Sequence, residues 1–419
     1  MLGDWLAVFE SLKDCYIDDA YSNIAVNEAI ERHKECSSGF VRAFTKGVLR
    51  DSMRLDYCID KLAAKGVSGV KKRTLIVLRM GIYAIDSLDS VPEYAAVSEA
   101  VALSKKVSKG SDRFVNAVLR GYIREKENIS SVDDNLSIKY SFPEEVVALL
   151  KSQYGDETEK LLAALNNPPD LVIRPNTLKI SKDALIEQLL KESVECGRTQ
   201  QDENALVVIK GQPVGSKLFK EGYFSVQTLS SIRAIEAFSP KRGCRVLDMC
   251  AAPGGKSCAM AEIMGDEGEI VACDIYPHRL ELIKAQAARL EIGIISTELL
   301  DGTELREEYI NSFDYVLADV PCSGLGVVGS KPELKLRTEP SEYKELIKTQ
   351  NEILDNAYQY VRKGGRIMYS TCTVNKDEND GVIEAFLERH RFATVVEKSL
   401  ILPYNNNLVG FYYCIIEKQ

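Results

Sequence analysis

The sequence predicts an α/β protein whose second half is a doubly wound, mostly parallel sheet of the Rossmann kind. A small α+β module and an all-helical region precede it. Three observations predict this. From residue 243 onward, short apolar runs alternate with segments of helical period. The first run leads into Val246-Leu-Asp-Met-Cys-Ala-Ala-Pro-Gly-Gly-Lys-Ser257, a strand–turn–helix with adjacent glycines at its turn. Residues 1–126, by contrast, are helical in period throughout, with few turn signals.

Within the helical region, Gly39 to Arg50 repeats its apolar residues at helical spacing. Residues 71–86 are apolar on most faces and suit a central buried helix. Pro92 stands where a helix can begin, ahead of Ala95–Lys105, and Phe114–Arg120 adds another stripe. The polar run Lys126–Asn135 reads as a linker. Leu171–Lys179 then reads as a strand, 181–192 as a helix and Ala205–Lys210 as a strand. Beyond residue 243, strands are expected at 244–250, 268–274, 294–299, 313–320 and 366–371, with a closing pair near 392–398 and 410–417. The helices between them are expected near 255–264, 277–291, 341–361 and 375–390.

Composition narrows the classes. A chain of 419 residues should hold two or three domains, and 45% hydrophobic with 27% charged residues is ordinary for a soluble globular protein. No apolar run approaches the roughly 20 residues of a membrane helix. The first residues lack a basic start and a cleavage pattern, so secretion is not expected. The eleven cysteines contain no C-x-x-C pair, which points to free thiols in a reducing cytoplasm and away from a metal site or a disulfide framework. The net charge of −9 argues against a chain-wide nucleic-acid surface. Residues 31–126, however, carry 19 Lys and Arg against 11 Asp and Glu, a local basic excess.

In such sheets ligands bind beyond the carboxyl ends of the strands. Gly254 and Gly255 let backbone approach a ligand there, and the helix they open offers free N–H groups. Asp274 ends the second strand of the large sheet, where an acid can bind ribose hydroxyls. Asp301 follows the third, placed to accept from an adenine amino group. The fourth ends in Asp319-Val-Pro-Cys-Ser-Gly324 and the fifth in Tyr369-Ser-Thr-Cys-Thr-Val374. Cys322 stands where amine methylases carry an amine clamp. Carbon 5 of cytosine needs thiolate addition at C6 before it can attack a methyl sulfonium, then a base to remove the C5 proton. Asp319 and two cysteines fit those tasks, with Asp319 at pyrimidine N3. The residues alone leave open which cysteine attacks.

The string 246–257, with P-C-S-G at 321–324 and S-T-C at 370–372, resembles the RNA cytosine-C5 methyltransferases of the NOL/NOP/Sun family. That resemblance implies S-adenosylmethionine held by Cys250, Ala251, Ala252, Pro253, Gly254, Gly255, Lys256, Asp274, Asp301 and Asp319. It implies Cys372 as nucleophile, Cys322 assisting release and Lys256 meeting the cofactor's methionine carboxylate. Arg174 and Asn176 match the family's "R-x-N-T", with Pro175 in place of the commoner Val, in a module that helps hold RNA. Thr228 replaces the acid of "V-Q-D-x-[AS]-S". Pro332 and Lys335 match the loop after the fourth motif, where Gly329-Ser330 replaces commonly basic residues.

Pro92–Leu103 and Phe114–Arg120 resemble helices of NusB, an all-helical RNA-binding protein. The combination resembles the RsmB type and implies three domains: 1–126 helical and RNA-binding, 136–235 α+β and RNA-binding, and 236–419 the methyltransferase. It implies a monomer acting on one cytosine of small-subunit ribosomal RNA, without membrane or metal. Transfer RNA, another ribosomal site, or a non-catalytic assembly role are the alternatives.

Overall fold

Helical periodicity in the first part of the chain becomes α1 (Leu2–Ile17), α2 (Ser22–Arg32), α3 (Ser38–Arg50), α4 (Ser52–Leu62), α5 (Lys72–Ser87), α6 (Glu93–Val107) and α7 (Asp112–Ser130). The computed structural model describes residues 2–130, 135–199, 204–337, 340–404 and 408–419. It divides into two units, Met1–Asn166 with Val328–Thr338, and Asn167–Val327 with Glu339–Gln419.

In the first unit α5 is the central helix, burying Ile76, Val77, Leu78, Met80, Ile82 and Tyr83. Trp5 meets Phe44 edge-to-face at 5.1 Å, and Phe44 stacks on Tyr83. Pro92 caps α6 as expected, since its missing N–H costs nothing at a helix start. The linker reading at Lys126 is corrected: α7 runs on to Ser130, because a polar helix face reads like a linker when only its outer side is polar. Residues 131–134 lie outside the described residues. Three short helices follow, α8 (Leu136–Tyr140), α9 (Glu144–Tyr154) and α10 (Thr158–Asn166).

The family-like loop after the fourth motif also belongs to this unit. Lys335 is buried, its ammonium donating to Arg50 O (2.7 Å) and Asn166 Oδ1 (2.9 Å) and lying over the Phe142 ring. Burial lowers its pKa to about 7. Glu333 accepts from the Ser22 N–H at 3.0 Å.

The second unit holds two sheets. Strands β1 (Val172–Pro175), β2 (Glu195–Arg198), β3 (Leu206–Lys210) and β4 (Phe224–Val226) form an antiparallel sheet in the order β2-β3-β1-β4, with α11 (Lys182–Lys191) after β1. The strand expected to reach Lys179 ends at Pro175, where Asn176 begins a turn. A four-residue helix, α12 (Lys217–Lys220), precedes β4, and α13 (Leu229–Phe238) leads to the large sheet.

There β5 (Arg245–Asp248), α14 (Gly255–Ile263), β6 (Glu269–Asp274), α15 (Pro277–Leu290), β7 (Ile295–Leu299), β8 (Phe313–Asp319), α16 (Tyr343–Tyr360), β9 (Val361–Thr371), α17 (Asp380–Arg389), β10 (Ala393–Ile401) and β11 (Phe411–Lys418) follow in turn. The order is β10-β11-β9-β8-β5-β6-β7, parallel except for β11, which runs against both neighbours. Strands β5, β6 and β8 are buried almost throughout, as expected of parallel strands covered on both faces. The chain winds from β5 to one side and then returns to β8 on the other. That reversal opens a crevice at the strands' carboxyl ends.

Candidate active site

A cavity of about 590 Å³ occupies that crevice, within the size range of ligand pockets. Cys250, Ala252, Asp274, Asp301 and Asp319 line it, joined by Tyr276, Arg279, Thr303, Pro321 and Ile353. Five of the sequence-predicted residues thus meet in one pocket, contributed by the ends of four neighbouring strands. Asp274 is buried; it accepts from Tyr276 N–H at 3.1 Å and lies 3.4 Å from Arg279. Asp301 accepts from the Thr303 N–H and hydroxyl at 2.9 and 2.7 Å, closing a turn on itself. Ala251, Pro253, Gly254, Gly255 and Lys256 do not line this cavity. They shape the turn behind it, where Gly254 takes φ +103° and its Cα lies against α15, so that a Cβ would sit 3.2 Å from Ile283.

Lys256 meets an acid of the same cavity. Its ammonium donates to Asp319 at 2.7 Å, and Ser370 donates to the other Asp319 oxygen at 2.7 Å. Burial works against the lysine charge, but the Asp319 carboxylate outweighs it and the pKa rises. Asp248, at the end of β5, is buried and accepts from Ser257 at 2.6 Å; burial raises its pKa to about 7.

The register Asp319↔Ser370 between β8 and β9 sets the two cysteine loops side by side. Cys322 and Cys372, both half-buried, lie with their sulfurs 3.3 Å apart. Contact with Cys372, then burial, holds the Cys322 thiol well above its ordinary range. Burial likewise keeps Cys250 a thiol. Gly326 makes the approach possible: it donates to Cys372 O at 3.0 Å, and a Cβ there would stand 2.1 Å from Gly410 O.

Sequence reasoning missed Arg279 and Tyr276 at the pocket mouth, and Gln350 and Glu378 beneath the cysteines. The two acids of Asn375-Lys-Asp-Glu378, soon after the fifth strand, were the available signal for the last. Arg174 and Asn176 were matched to an RNA-holding module, but both are interior. Arg174 forks onto Glu262 of α14 (2.9 and 3.1 Å), and Asn176 donates to Gly222 O and Leu290 O. Thr228 caps α13. Among the described residues no group of three His, Cys, Asp or Glu could hold a metal, and no helix is long and apolar enough to cross a membrane.

A mostly parallel seven-stranded sheet closed by an antiparallel strand, with acids at successive strand ends around one cavity, defines the Rossmann-like S-adenosylmethionine-dependent methyltransferases. Residues 235–413 match the family described as 16S rRNA methyltransferase RsmB/F. Residues 142–215 match its ferredoxin-like domain, and residues 6–124 match the NusB family. The probable ribosomal RNA small subunit methyltransferase B of Bacillus subtilis is 33% identical, covering 96% of each chain. That of Synechocystis is 31% identical over 91% of this chain and 88% of its own. The crystal structure of PH0851 aligns over 100% of this chain and 99% of its own, with a TM-score of 0.85 and 25% identity. NSun6 from Pyrococcus horikoshii, solved with SFG, shares the fold over 66% of this chain and 98% of its own (TM-score 0.62, 22% identity). The chain belongs to the ribosomal RNA small subunit methyltransferase B family.

Proposed function

We propose that the protein transfers a methyl group from S-adenosylmethionine to C5 of a cytosine in 16S ribosomal RNA through a covalent Cys372–C6 adduct. The observation that carries this reading is the sulfur–sulfur contact of Cys322 and Cys372 beside the acid-lined cavity. The cavity suits the cofactor: Asp274 offers carboxylate oxygens to ribose hydroxyls, Asp301 to an amino group, and Cys250 to Gly255 form the backbone turn alongside. The bound cofactor supplies an electrophilic methyl group.

The chain's own residues do the rest. Cys372 adds to C6, while Asp319 and its Lys256 partner meet N3, where the ring gains electron density. The resulting enamine carries nucleophilic density at C5, which takes the methyl group. Loss of the C5 proton, assigned to Cys322 or a base it positions, then expels the Cys372 thiolate and restores the aromatic ring. We assign RNA affinity to residues 1–126 and 136–235, and chemistry to 236–419. A groove of about 570 Å³ on α6 and α7 supports the first assignment. It is lined by Lys105, Lys106, Asn116, Arg120 and a Tyr94 that is 78% exposed, suiting phosphates and an unstacked base.

Bisulfite mapping of 5-methylcytosine in the host's ribosomal and transfer RNA, with and without the gene, tests the reading. A single 16S position should lose its mark. Loss confined to transfer RNA would replace the substrate, and no loss would remove the chemistry.

A further inference from the structure

Glu378 is fully buried in the turn between β9 and α17. Its Oε2 accepts from the Ser323 N–H (2.8 Å) and the Gln350 amide (3.0 Å). Its Oε1 accepts from the Ser323 hydroxyl (2.5 Å), the Asn375 amide (3.1 Å) and the Thr373 hydroxyl (3.3 Å). Three of these partners are N–H groups, which can only donate, so both carboxyl oxygens serve as acceptors. Ser323 follows Cys322 and Thr373 follows Cys372, so the residue after each thiol hangs on the same carboxyl group. Gln350, on α16, also donates to Pro321 O at 3.0 Å, fixing the other side of Cys322. The Glu378 backbone is held in turn, its carbonyl accepting from the Tyr369 hydroxyl at 2.6 Å.

We propose that Glu378 is a positioning residue for the thiol pair: its carboxyl group ties the loops after β8 and β9 together so that the sulfurs meet, and its field makes the two thiols unequal. The field of Glu378 adds to the effects of Cys372 and burial on the Cys322 thiol. Cys372 is then the sulfur that adds to C6. The inference rests on the reading that this pair does the chemistry, but its first test does not need any methylation.

Full-length wild type and Glu378→Gln are treated with iodoacetamide across about pH 6 to 10, and each cysteine is mapped by mass spectrometry. In wild type Cys372 should react at lower pH than Cys322. In the variant the Cys322 midpoint should fall by about one unit, giving about tenfold more labelling at a given pH below it. An unchanged midpoint and order in the folded variant overturn the proposal. Should Glu378→Gln lose its melting transition, Ser323→Ala keeps the Glu378 carboxyl group and removes one of its donors, the Ser323 hydroxyl. Cys322 labelling should then stay as in wild type, while kcat falls about tenfold or more at unchanged KM, as expected of misplaced reacting groups. An unchanged kcat would sink the positioning role. Loss of methylation in wild type itself, with the labelling order intact, would count against the reaction and not against Glu378.

Discussion

Replacing Arg174 with methionine tests whether the small sheet is fastened to the catalytic sheet by one buried ion pair. The guanidinium and the Glu262 carboxylate form a two-pronged contact at 2.9 and 3.1 Å, with side chains only 7% and 4% exposed. Removing one partner of such a pair strands the other charge, at a cost of about 3–5 kcal/mol. For a unit of roughly 150–250 residues, each kcal/mol moves Tm by about 2–4 °C, so a fall of about 6–20 °C is expected. Calorimetry of the full chain should show it. Glu262 already has a raised pKa from burial, which Arg174 partly counters. Without Arg174 the carboxyl should protonate more readily, so the penalty should shrink as pH is lowered. Arg174→Met with Glu262→Met should recover most of the loss, since well-packed apolar pairs replace buried ion pairs with little cost. A Tm change under about 2 °C, or a double variant as unstable as the single one, would refute the fastening. A weaker salt dependence of RNA binding at unchanged Tm would instead make Arg174 an RNA contact.

Further outcomes follow from the same geometry. Cys372→Ala should bind RNA and cofactor yet form no adduct, whereas Cys322→Ala should accumulate an RNA–protein adduct that survives denaturing electrophoresis; the reverse pattern would swap their roles. Asp274→Ala should weaken S-adenosylmethionine binding by about tenfold or more in calorimetry, the scale of a lost hydrogen bond to a charged group, and equal affinity would displace it from the cofactor site. Lys105→Glu, Lys106→Glu and Arg120→Glu together should lower RNA affinity and its salt slope by about three, with cofactor affinity unchanged in the same titrations. Asp248 has a folded pKa near 7, above its ordinary value, so it contributes stability below about pH 4 that is lost as pH rises through 7. Asp248→Asn should remove that loss, raising stability above pH 7 by at most on the order of 4 kcal/mol; parallel Tm–pH curves for the two proteins would contradict the assignment.

The large sheet was readable because its inner strands are buried on both faces and appear as unbroken apolar runs. Strands β5 to β9 lie close to where those runs place them, β9 beginning five residues early at Val361. The acids and cysteines at strand ends were legible for the same reason, since a strand's end dictates where the next residues point. What pairs with what was not legible. Lys256 meets Asp319 across 63 positions of sequence, and Glu378 meets Ser323 across 55. Nothing near Arg174 in sequence announces its partner Glu262, 88 positions away. Such partnerships depend on register between distant strands, which periodicity does not carry.

The helical unit is discontinuous in sequence, since Val328–Thr338 is counted in it together with Met1–Asn166. During synthesis the ribosome must add roughly 170 further residues before that segment emerges, on the order of ten to thirty seconds at about 5–20 residues per second. Through that interval the site that Lys335 will fill, against Arg50 O, Asn166 and Phe142, is without its lysine. The helices that emerge first are thus completed late, by a strip of chain borrowed from the middle of the methyltransferase sequence. No single cut in the gene separates the two units intact.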